Sequence, residues 1–233
     1  MSDEDSARAL LFLSDVAPYR RGATSRPAGV HRSLPSAAAA FEEIAGICGL
    51  AFERAERAAD ATVTMLERAR VLVLFTIGET SWSDEQRASI ERRVGRGELG
   101  LVGVHATTDS AFDWPAFGEL IGGRFDGHPV TAELPVTVLD NSHPATSCLP
   151  SPWPFREELY LFRDVVPDAR VLLGVELAGA PSSAPTVLPL AWCIERQAMR
   201  SFYTALGHHL SAYESGDFIQ HLLGAVEWVL GTG

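Results

Sequence analysis

The sequence predicts an α/β protein of three layers, in which helices cover both faces of a doubly wound, mostly parallel sheet. Short continuous apolar runs, typical of strands buried on both faces, alternate with segments of helical periodicity through the first half of the chain. The 233 residues are 46% hydrophobic, which is enough for one domain with a large core. We therefore expect a single domain over residues 1–233, with added antiparallel strands in its second half.

The first elements follow from their end signals. The apolar run Ala9–Leu13 predicts the first buried strand, and an Arg-, Gly- and Pro-rich loop follows over 18–29. Ser33 is placed to cap a helix that ends near Cys48, with Gly49 as its stop. These features match the start of an alternating strand and helix pattern.

The next elements repeat this alternation. Residues 71–75 form a continuous apolar run that predicts a second buried strand. Ser83 and Gln86 have the spacing of a capping box, which predicts a helix that ends near Val94. Residues 99–106 predict another buried strand, which brings His105 to its end. A short helix then begins around residue 115, where a proline suits the first helical turn.

The pattern changes in the second half, where strand follows strand. Residues 130–140 alternate between apolar and polar side chains and contain Pro135, which predicts an edge or outer strand. Ser215 is placed to cap a last helix. A Pro-, Ser- and Ala-rich loop is expected over 178–189. Further strands are predicted at 157–162, 170–175, 188–194 and 201–206.

Charge and composition exclude several classes of function. The formal net charge is −11, so neither nucleic acid nor an anionic membrane surface is an expected partner. No stretch approaches 18 uninterrupted apolar residues, and the acidic N-terminus does not resemble a signal peptide. The scattered cysteines Cys48, Cys148 and Cys193 do not predict a disulfide framework. We expect a cytoplasmic protein.

Several catalytic motifs are absent from the sequence. It contains no G-x-S-x-G, no phosphate-binding G-x-x-x-x-G-K-[ST], and no G-x-G-x-x-G after a strand. A nucleotide cofactor is therefore not expected, and serine-hydrolase chemistry loses support.

Three histidines are expected at one edge of the sheet. His105 ends a strand, His208 follows the strand over 201–206, and His31 lies in the loop after the first strand. The carboxyl ends of parallel strands form the usual ligand site of an open α/β sheet. Three imidazoles together suit a divalent transition metal, and Glu158 is the best carboxylate to complete the set. Zinc, iron, manganese and nickel all fit these ligand types.

Several segments of the chain, in order, form recognisable motifs. The most informative is the run from Gly103 to Asp109, which is similar to G-[IL]-H-[AS]-[AG]-[TS]-D, and 31–35 is similar to H-x-S-[IL]-P. These motifs resemble those of the ThuA-like (trehalose utilisation) family. The similarity extends over about residues 30–230. The remaining segments are 113–115, 118–125, 127–129, 143–146, 157–162, 202–208 and 218–224.

The resemblance implies a flavodoxin-like, glutamine amidotransferase-like fold. In that fold a nucleophilic cysteine occupies a strained strand-to-helix turn, whereas this chain has His105 there and no cysteine nearby in sequence. Glutaminase activity is therefore not expected. The resemblance also implies a role in sugar utilisation and a metal held by His31, His105, Glu158 and His208.

The chain departs from the family pattern near the expected pocket. It carries extra residues over 20–29, it has Ile77 within the family's N-T-T-G turn, and His209 follows His208 where a small or polar residue is usual. The first two changes lie at the expected pocket rim, so the substrate is expected to differ from that of sugar-catabolic relatives.

The leading hypothesis is a metal-dependent enzyme that acts on a sugar-like small molecule. The metal would polarise an oxygen of an oxidised (keto-) sugar, a glycoside or a similar polyol, or would activate water. Hydrolysis, β-elimination and isomerisation all remain open. The residues expected to act in catalysis are His105, His128, Asp109 and Tyr160, and those expected to contact the substrate are Trp114, Tyr203 and Thr107.

Simpler interpretations stand beside this hypothesis. A buried histidine such as His105 can bond only to main chain, and Glu158 can pair with Arg156 or Arg163 instead of a metal. His143 and His221 are expected to serve turns and packing. The whole chain can also be a non-catalytic sugar-binding module or a structural subunit that has kept the fold. A homo-oligomer is compatible with every one of these interpretations.

Overall fold

The computed structural model of the protein describes residues 8–17, 31–177 and 186–232. Its centre is a nine-stranded sheet in the order β2-β1-β3-β4-β11-β10-β9-β6-β7, and β5 pairs with β8 separately. The strands are β1 (Ala9–Leu13), β2 (Ala51–Ala55), β3 (Ala69–Leu74), β4 (Gly100–Val104), β5 (Arg124–Gly127), β6 (Thr131–Val138), β7 (Trp153–Glu158), β8 (Leu161–Arg163), β9 (Arg170–Glu176), β10 (Val187–Arg196) and β11 (Met199–Thr204).

The first part of the sheet is parallel. Strands β2, β1, β3, β4 and β11 all run in one direction, so their carboxyl ends share one edge. Strands β1 and β4 are buried along their whole length, as continuous apolar runs require. The predicted α/β class is confirmed, and this shared edge positions the candidate site.

The second part of the sheet is antiparallel, as expected for this half of the chain. The segment predicted as an edge or outer strand over 130–140 is an outer strand, because β6 is next to last in the sheet and β7 forms the edge. Strand β6 pairs with β7 over 131–136 and with β9 only at Thr137 and Val138. Pro135 faces Pro154 of β7 and lies before the pairing with β9 begins, so its missing N–H interrupts no bond to β9.

The strand predicted over 157–162 is broken in two. Strand β7 ends at Glu158, and β8 begins at Leu161 in the separate two-stranded sheet with β5. Glu157, Glu158 and Tyr160 therefore lie where the chain leaves one sheet and enters the other. The predicted loop over 178–189 is also corrected, because Val187 to Pro189 belong to β10, whereas 178–185 lie outside the described residues.

In the described residues, five α-helices cover the two faces of the sheet. They are α1 (Leu34–Ile47), α2 (Val63–Arg68), α3 (Asp84–Gly95), α4 (Pro115–Ile121) and α5 (Gly216–Leu230). Gly100 and Gly103 of β4 point to opposite faces, and a Cβ at Gly100 would meet Val229 of α5, whereas one at Gly103 would meet Ile121 of α4. Helices α5 and α4 therefore form opposite layers. None of the helices in the described ranges is long and apolar enough to cross a membrane.

The predicted helix ends agree with the structure where the signal is local. Ser83 and Gln86 form the complete capping box of α3, and Ser215 accepts the Phe218 N–H at the start of α5. Ser33 precedes α1 as predicted but makes no capping bond; its hydroxyl donates to the Gly207 carbonyl instead. The loop predicted over 18–29 lies outside the described residues.

Candidate functional site

A strained turn carries His105 at the carboxyl edge of the sheet. Strand β4 ends at Val104, and a 3-10 turn begins at His105, whose φ is +51°. This left-handed conformation is uncommon for a residue with a Cβ and has to be held by its surroundings. The Tyr203 hydroxyl donates to the His105 carbonyl at 2.6 Å, and the Thr107 hydroxyl donates to the Leu74 carbonyl at 2.6 Å.

The ring of His105 is oriented by the main chain. Its Nδ1 lies 2.9 Å from the Ala205 carbonyl oxygen, which only accepts hydrogen bonds, so Nδ1 carries the proton. The Nε2 of the neutral ring is then a free electron-pair donor. A carbonyl that orients the far nitrogen in this way is the usual support of a metal-ligating histidine.

Side chains from four separate segments meet around this Nε2. The Tyr160 hydroxyl lies 3.0 Å from it, the His208 Nδ1 lies 3.1 Å from it, and a Glu158 carboxylate oxygen lies 3.7 Å from it. His31, His105 and His208 each offer one nitrogen, and these three nitrogens all lie within 4.8 Å of one another. We call His31, His105, His208, Glu158 and Tyr160 the rim cluster.

Burial favours the neutral forms of His105 and His208 in the rim cluster. Burial lowers the pKa of His105 well below its usual value, and the nearby His31 lowers it further. Burial also lowers the pKa of His208, against the opposing effect of Glu158. The approaches of Glu158 to His105 and His208, at 3.7 and 3.5 Å, are therefore polar contacts with neutral rings rather than ion pairs.

Glu157 braces the cluster and was not among the predicted site residues. Its side chain is fully buried, and one carboxylate oxygen accepts the N–H groups of Gly207 and His208 at 2.7 and 3.1 Å. The other oxygen accepts the Glu158 N–H at 2.9 Å. Burial nevertheless raises the pKa of Glu157 to about 7. A single carboxyl group thus connects two predicted ligands that are 50 residues apart.

The segment that contains His31 is tied to the same place. Ser33 donates its hydroxyl to the Gly207 carbonyl at 2.9 Å, while Glu157 holds the N–H of Gly207. The φ of Gly207 is +117°, and a Cβ there would lie 2.7 Å from the Tyr213 hydroxyl, so only glycine fits. Two distant segments, at Ser33 and Glu157, therefore fix the backbone that presents His208.

His128 lies at the outer side of the cluster. Its side chain is 26% exposed, and its Nδ1 lies 3.8 Å from the second Glu158 oxygen, which is beyond hydrogen-bond distance. Its ring stacks on Tyr160. Because Glu158 and His208 are only partly buried as well, this side offers the route to solvent.

Thr107 and Tyr203 support the turn that carries His105. Both side chains are fully buried and hold the turn that contains His105, which leaves no surface of either residue for a substrate. Asp109 is 8% exposed and lies close enough to raise the pKa of Tyr160, a smaller effect than burial. Thr107 and Tyr203 are therefore positioning residues rather than the substrate contacts expected from the sequence.

Trp114 is directed away from the rim cluster. It is 3% exposed, its indole N–H donates to Glu91 of α3 at 2.6 Å, and its ring packs on Trp82 and Phe117. These are the contacts of a residue that packs two helices together. Stacking on a sugar ring would require a free face, so the structure does not place Trp114 with the predicted substrate contacts.

The residues present fit a divalent transition metal. Two nitrogen ligands of a tetrahedral ion, each bound at about 2 Å, lie about 3.3 Å apart. The nitrogens of His105 and His208 are 3.1 Å apart, and the Glu158 oxygen lies 3.5 Å from His208. Neutral imidazoles and a carboxylate are the ligand chemistry of zinc, iron, manganese and nickel. The fit rests on both spacing and donor type.

The cysteines lie away from the turn that carries His105. Cys48 follows α1, Cys148 lies in the loop after β6, and Cys193 lies within β10; all three are free. Burial raises the pKa of Cys193 to about 11, so its thiol stays protonated near neutral pH. A protonated, buried thiol is a poor nucleophile. Nothing in these positions supplies the cysteine that glutaminase chemistry needs.

Comparisons with known proteins agree with this fold. The sequence profile of ThuA, described as trehalose utilisation, matches residues 23–229. A search of curated proteins finds no match to the chain. A ThuA-like protein from Bacteroides uniformis has a similar structure, with a TM-score of 0.72 and 20% identity over 98% of this chain and 93% of that one.

Two further structures share the fold. A ThuA-like protein from Parabacteroides merdae has a TM-score of 0.68 and 16% identity over 97% of this chain and 90% of that one. Agd3, described as a carbohydrate deacetylase, has a TM-score of 0.57 and 12% identity over 97% of this chain but only 32% of its own length. At these identities the likeness is one of fold.

Proposed function

The chain belongs to the ThuA family, described as trehalose utilisation, and from this premise we propose that it is a metal-assisted enzyme of carbohydrate metabolism. Its substrate is a sugar, an oxidised keto-sugar or glycoside, or a similar polyol. The reaction is a hydrolysis, an elimination or an isomerisation. We propose the cytoplasm as its location.

One observation carries this proposal. The Nε2 of His105 is left as an electron-pair donor by the Ala205 carbonyl, and it faces His208, Glu158 and Tyr160 within 3.7 Å. Burial disfavours the charged form of His105, so the lone pair stays available near neutral pH.

The ligands of the metal would be His31, His105, His208 and Glu158. A metal bound there supplies a Lewis acid for a carbonyl or hydroxyl oxygen and lowers the pKa of a coordinated water. Glu157 keeps the backbone of His208 in place, and the turn around His105 is held by Tyr203. These braces keep the ligand set preorganised, which a catalytic site requires.

Proton transfer falls to groups at the rim. Burial raises the pKa of Tyr160 well above its usual value, so its phenol keeps its proton and can donate it as a hydrogen bond to a substrate oxygen. His128 is partly exposed and stacks on Tyr160, which suits it to exchange protons with solvent. Asp109 is the third candidate, because its charge acts on Tyr160.

A second function is favoured by the hydrogen bonds within the cluster. Tyr160 and His208 can each donate to the His105 Nε2, at 3.0 and 3.1 Å, so the cluster can be satisfied without a metal. In that state the rim cluster would form a neutral polar pocket that binds a sugar and does not convert it. The two functions share one site and differ in metal content.

Elemental analysis of protein purified without chelators tests the proposal. We expect close to one transition-metal ion per chain, and its loss on changing His208→Ala. The metal-loaded protein would then be incubated with trehalose, a keto-glycoside and an N-acetylated sugar, the last chosen because a carbohydrate deacetylase shares the fold. We expect turnover of at least one sugar that a chelator abolishes.

The outcomes separate the two functions. Metal content well below one ion per chain, together with sugar binding seen by calorimetry, would support the binding module and reject the enzyme. Conversion of glutamine to glutamate by the wild-type protein would contradict the exclusion of glutaminase activity. Unchanged metal content in the His208→Ala variant would show that the ligand assignment is wrong.

A further inference from the structure

A second concentrated feature lies at the opposite, amino-terminal edge of the parallel strands. A cavity of about 780 Å³ there is lined by arginines with two glutamates and one threonine. We call these arginines the arginine cluster. They are Arg8, Arg68, Arg70, Arg92, Arg93 and Arg96.

This concentration of positive charge is unusual for the chain. The protein carries a net charge of −11, and all of its 19 basic residues are arginines, because the sequence contains no lysine. Six of the 19 line this one cavity, against Glu67 and Glu98. Guanidinium groups bind anionic oxygens in a forked geometry that a lysine cannot offer.

Within the described residues, most of these arginines have no carboxylate partner. In the described residues, the ion pairs of the cluster are Arg68 with Glu53 and Arg93 with Glu98. Arg8, Arg70, Arg92 and Arg96 have no carboxylate within 4 Å in that part of the chain. Four guanidinium groups are therefore left for a ligand, as far as the described part of the chain shows.

Arg93 gives the cavity a fixed wall. It is 7% exposed, and its guanidinium donates to the carbonyls of Leu66, Ala69 and Glu98. Burial lowers its pKa, with the charge of Arg70 as a further cause. Two cations are thus held near each other, and an anion between them would relieve the repulsion.

A bulge in the sheet directs Arg70 to this place. Ala9 pairs with Ala69 and Leu10 pairs with Val71, so Arg70 is an extra residue at the start of β3. Such a bulge changes the direction of a side chain. Arg70 is the one residue of β3 that is not buried, and Arg8 immediately precedes β1, the neighbouring strand.

The dipole of α3 does not account for the whole cluster. Arginines in the last turn of a helix interact favourably with its carbonyl end, which explains Arg92 and Arg93. Arg8 precedes β1 and Arg70 lies in β3, so neither gains anything from that dipole. Their convergence on the same cavity needs another reason.

We propose that the arginine cluster binds a small anion that carries a phosphate group, at a site separate from the rim cluster. Several guanidinium groups that approach from strands and a helix suit the oxygens of a tetrahedral phosphate, and Thr64 adds a neutral hydroxyl. A polymeric anion fits less well, because it would extend from the cavity onto a surface of overall negative charge.

Calorimetry at low ionic strength tests this site, with inorganic phosphate and glucose 6-phosphate as the two probes. We expect saturable binding by the wild-type protein and a loss of about tenfold in affinity for Arg70→Gln and for Arg96→Gln, since each removes a charge-assisted hydrogen bond. Arg96 is exposed at the end of α3, so its variant should fold even if the Arg70 variant does not.

Two matched controls define the position of the site. Arg57→Gln removes one exposed charge after β2, at the other end of the strands, and should keep the affinity within about twofold. His105→Asn removes a proposed metal ligand, so unchanged phosphate affinity in that variant would separate the site from the rim cluster.

The outcomes are distinct. Tighter binding of glucose 6-phosphate than of inorganic phosphate would identify a phosphate ester as the ligand, and equal binding would identify the phosphate group alone. The proposal fails if the wild-type protein shows no saturation up to about 10 mM probe. It also fails if Arg57→Gln weakens binding as much as Arg96→Gln, or if His105→Asn abolishes binding.

Discussion

Two buried histidines beside the last parallel strand differ in what their second nitrogen meets. His105 and His221 are both fully buried, and burial is the main cause that lowers the pKa of each. His221 bonds through Nδ1 to the Ala145 carbonyl at 2.8 Å and through Nε2 to the Thr204 hydroxyl at 3.1 Å. Both of its nitrogens serve the protein's own structure.

His105 shares only half of that arrangement. Its Nδ1 bonds to the Ala205 carbonyl, but its Nε2 faces another imidazole, a phenol and a carboxylate. Burial and a shifted pKa are therefore not enough to mark a functional histidine. The surroundings of the second nitrogen separate the rim histidine from the packing histidine.

The largest predicted effect comes from making the same change at both positions. An asparagine amide can take the place of Nδ1 and keep the bond to the carbonyl, while Nε2 is lost. Asparagine also tolerates the positive φ of His105. We expect His105→Asn to weaken metal affinity by more than about 100-fold, the upper end of losses for groups outside the first shell. Calorimetric titration with zinc measures this.

His221→Asn should show the opposite pattern. It loses the bond to Thr204 and leaves unfilled volume, so we expect the free energy of unfolding to fall by about 2 kcal/mol while metal affinity is unchanged. Urea denaturation measures the first quantity. Loss of metal affinity in this variant, or its retention in His105→Asn, would erase the distinction between the two histidines.

The next effect concerns acid stability. Burial lowers the pKa of His221 to about 4 from an ordinary value of 6.5. Above pH 6.5 both the folded and the unfolded states leave this ring neutral. Between pH 6.5 and 4 the unfolded state takes up the proton and the folded state does not, so stability falls by about 3 kcal/mol.

The fall should flatten for this residue below pH 4, when the folded state is protonated too. His143, whose pKa burial also lowers to about 4, adds a similar contribution. Urea midpoints measured at half-unit steps of pH test this. The His221→Asn variant should show a shallower decline than the wild-type protein; parallel curves would mean that His221 does not titrate in this window.

Local signals and strand direction explain what the sequence could predict. The caps at Ser83 and Ser215 need only residues three positions away. The shared location of His31, His105 and His208 follows from the parallel strands, whose carboxyl ends meet at one edge. Neither inference required knowledge of side-chain contacts.

The supporting residues depend on contacts between distant segments. Glu157 bonds to Gly207, 50 residues away, and in the sequence it is one of two adjacent glutamates. Its alternation with Trp153 and Phe155, which face inward on the same strand, was the available signal. The packing of Trp114 could not be predicted from the sequence, because its partner, Glu91, comes from another helix.

A smaller effect is expected from Glu157→Gln, which tests this brace. Glutamine has one acceptor oxygen where the carboxylate has two, so it cannot accept the N–H groups of Glu158, Gly207 and His208 together. We expect metal affinity to fall by about tenfold, as for other residues that orient ligands. Calorimetric titration and urea denaturation should be compared on the same sample.

The two readouts decide what Glu157 does. A residue that serves only the fold would lower the unfolding free energy without changing the affinity of the protein that remains folded. If metal affinity stays at the wild-type value, Glu157 stabilises the fold, as His221 does, and does not orient the metal ligands.

The smallest effect is expected from Trp114→Phe. Trp114 contacts neither the rim cluster nor His221. The change removes the indole N–H bond to Glu91, so the free energy of unfolding should fall by about 1 kcal/mol, the usual value of one such bond. Metal affinity and the affinity for a sugar substrate should not change, because both faces of the ring lie among protein side chains. A rise of about tenfold in the KM for a sugar, with stability unchanged, would contradict this prediction. It would show that Trp114 contacts the substrate, as expected from the sequence, and that the substrate site extends from the rim cluster toward α3.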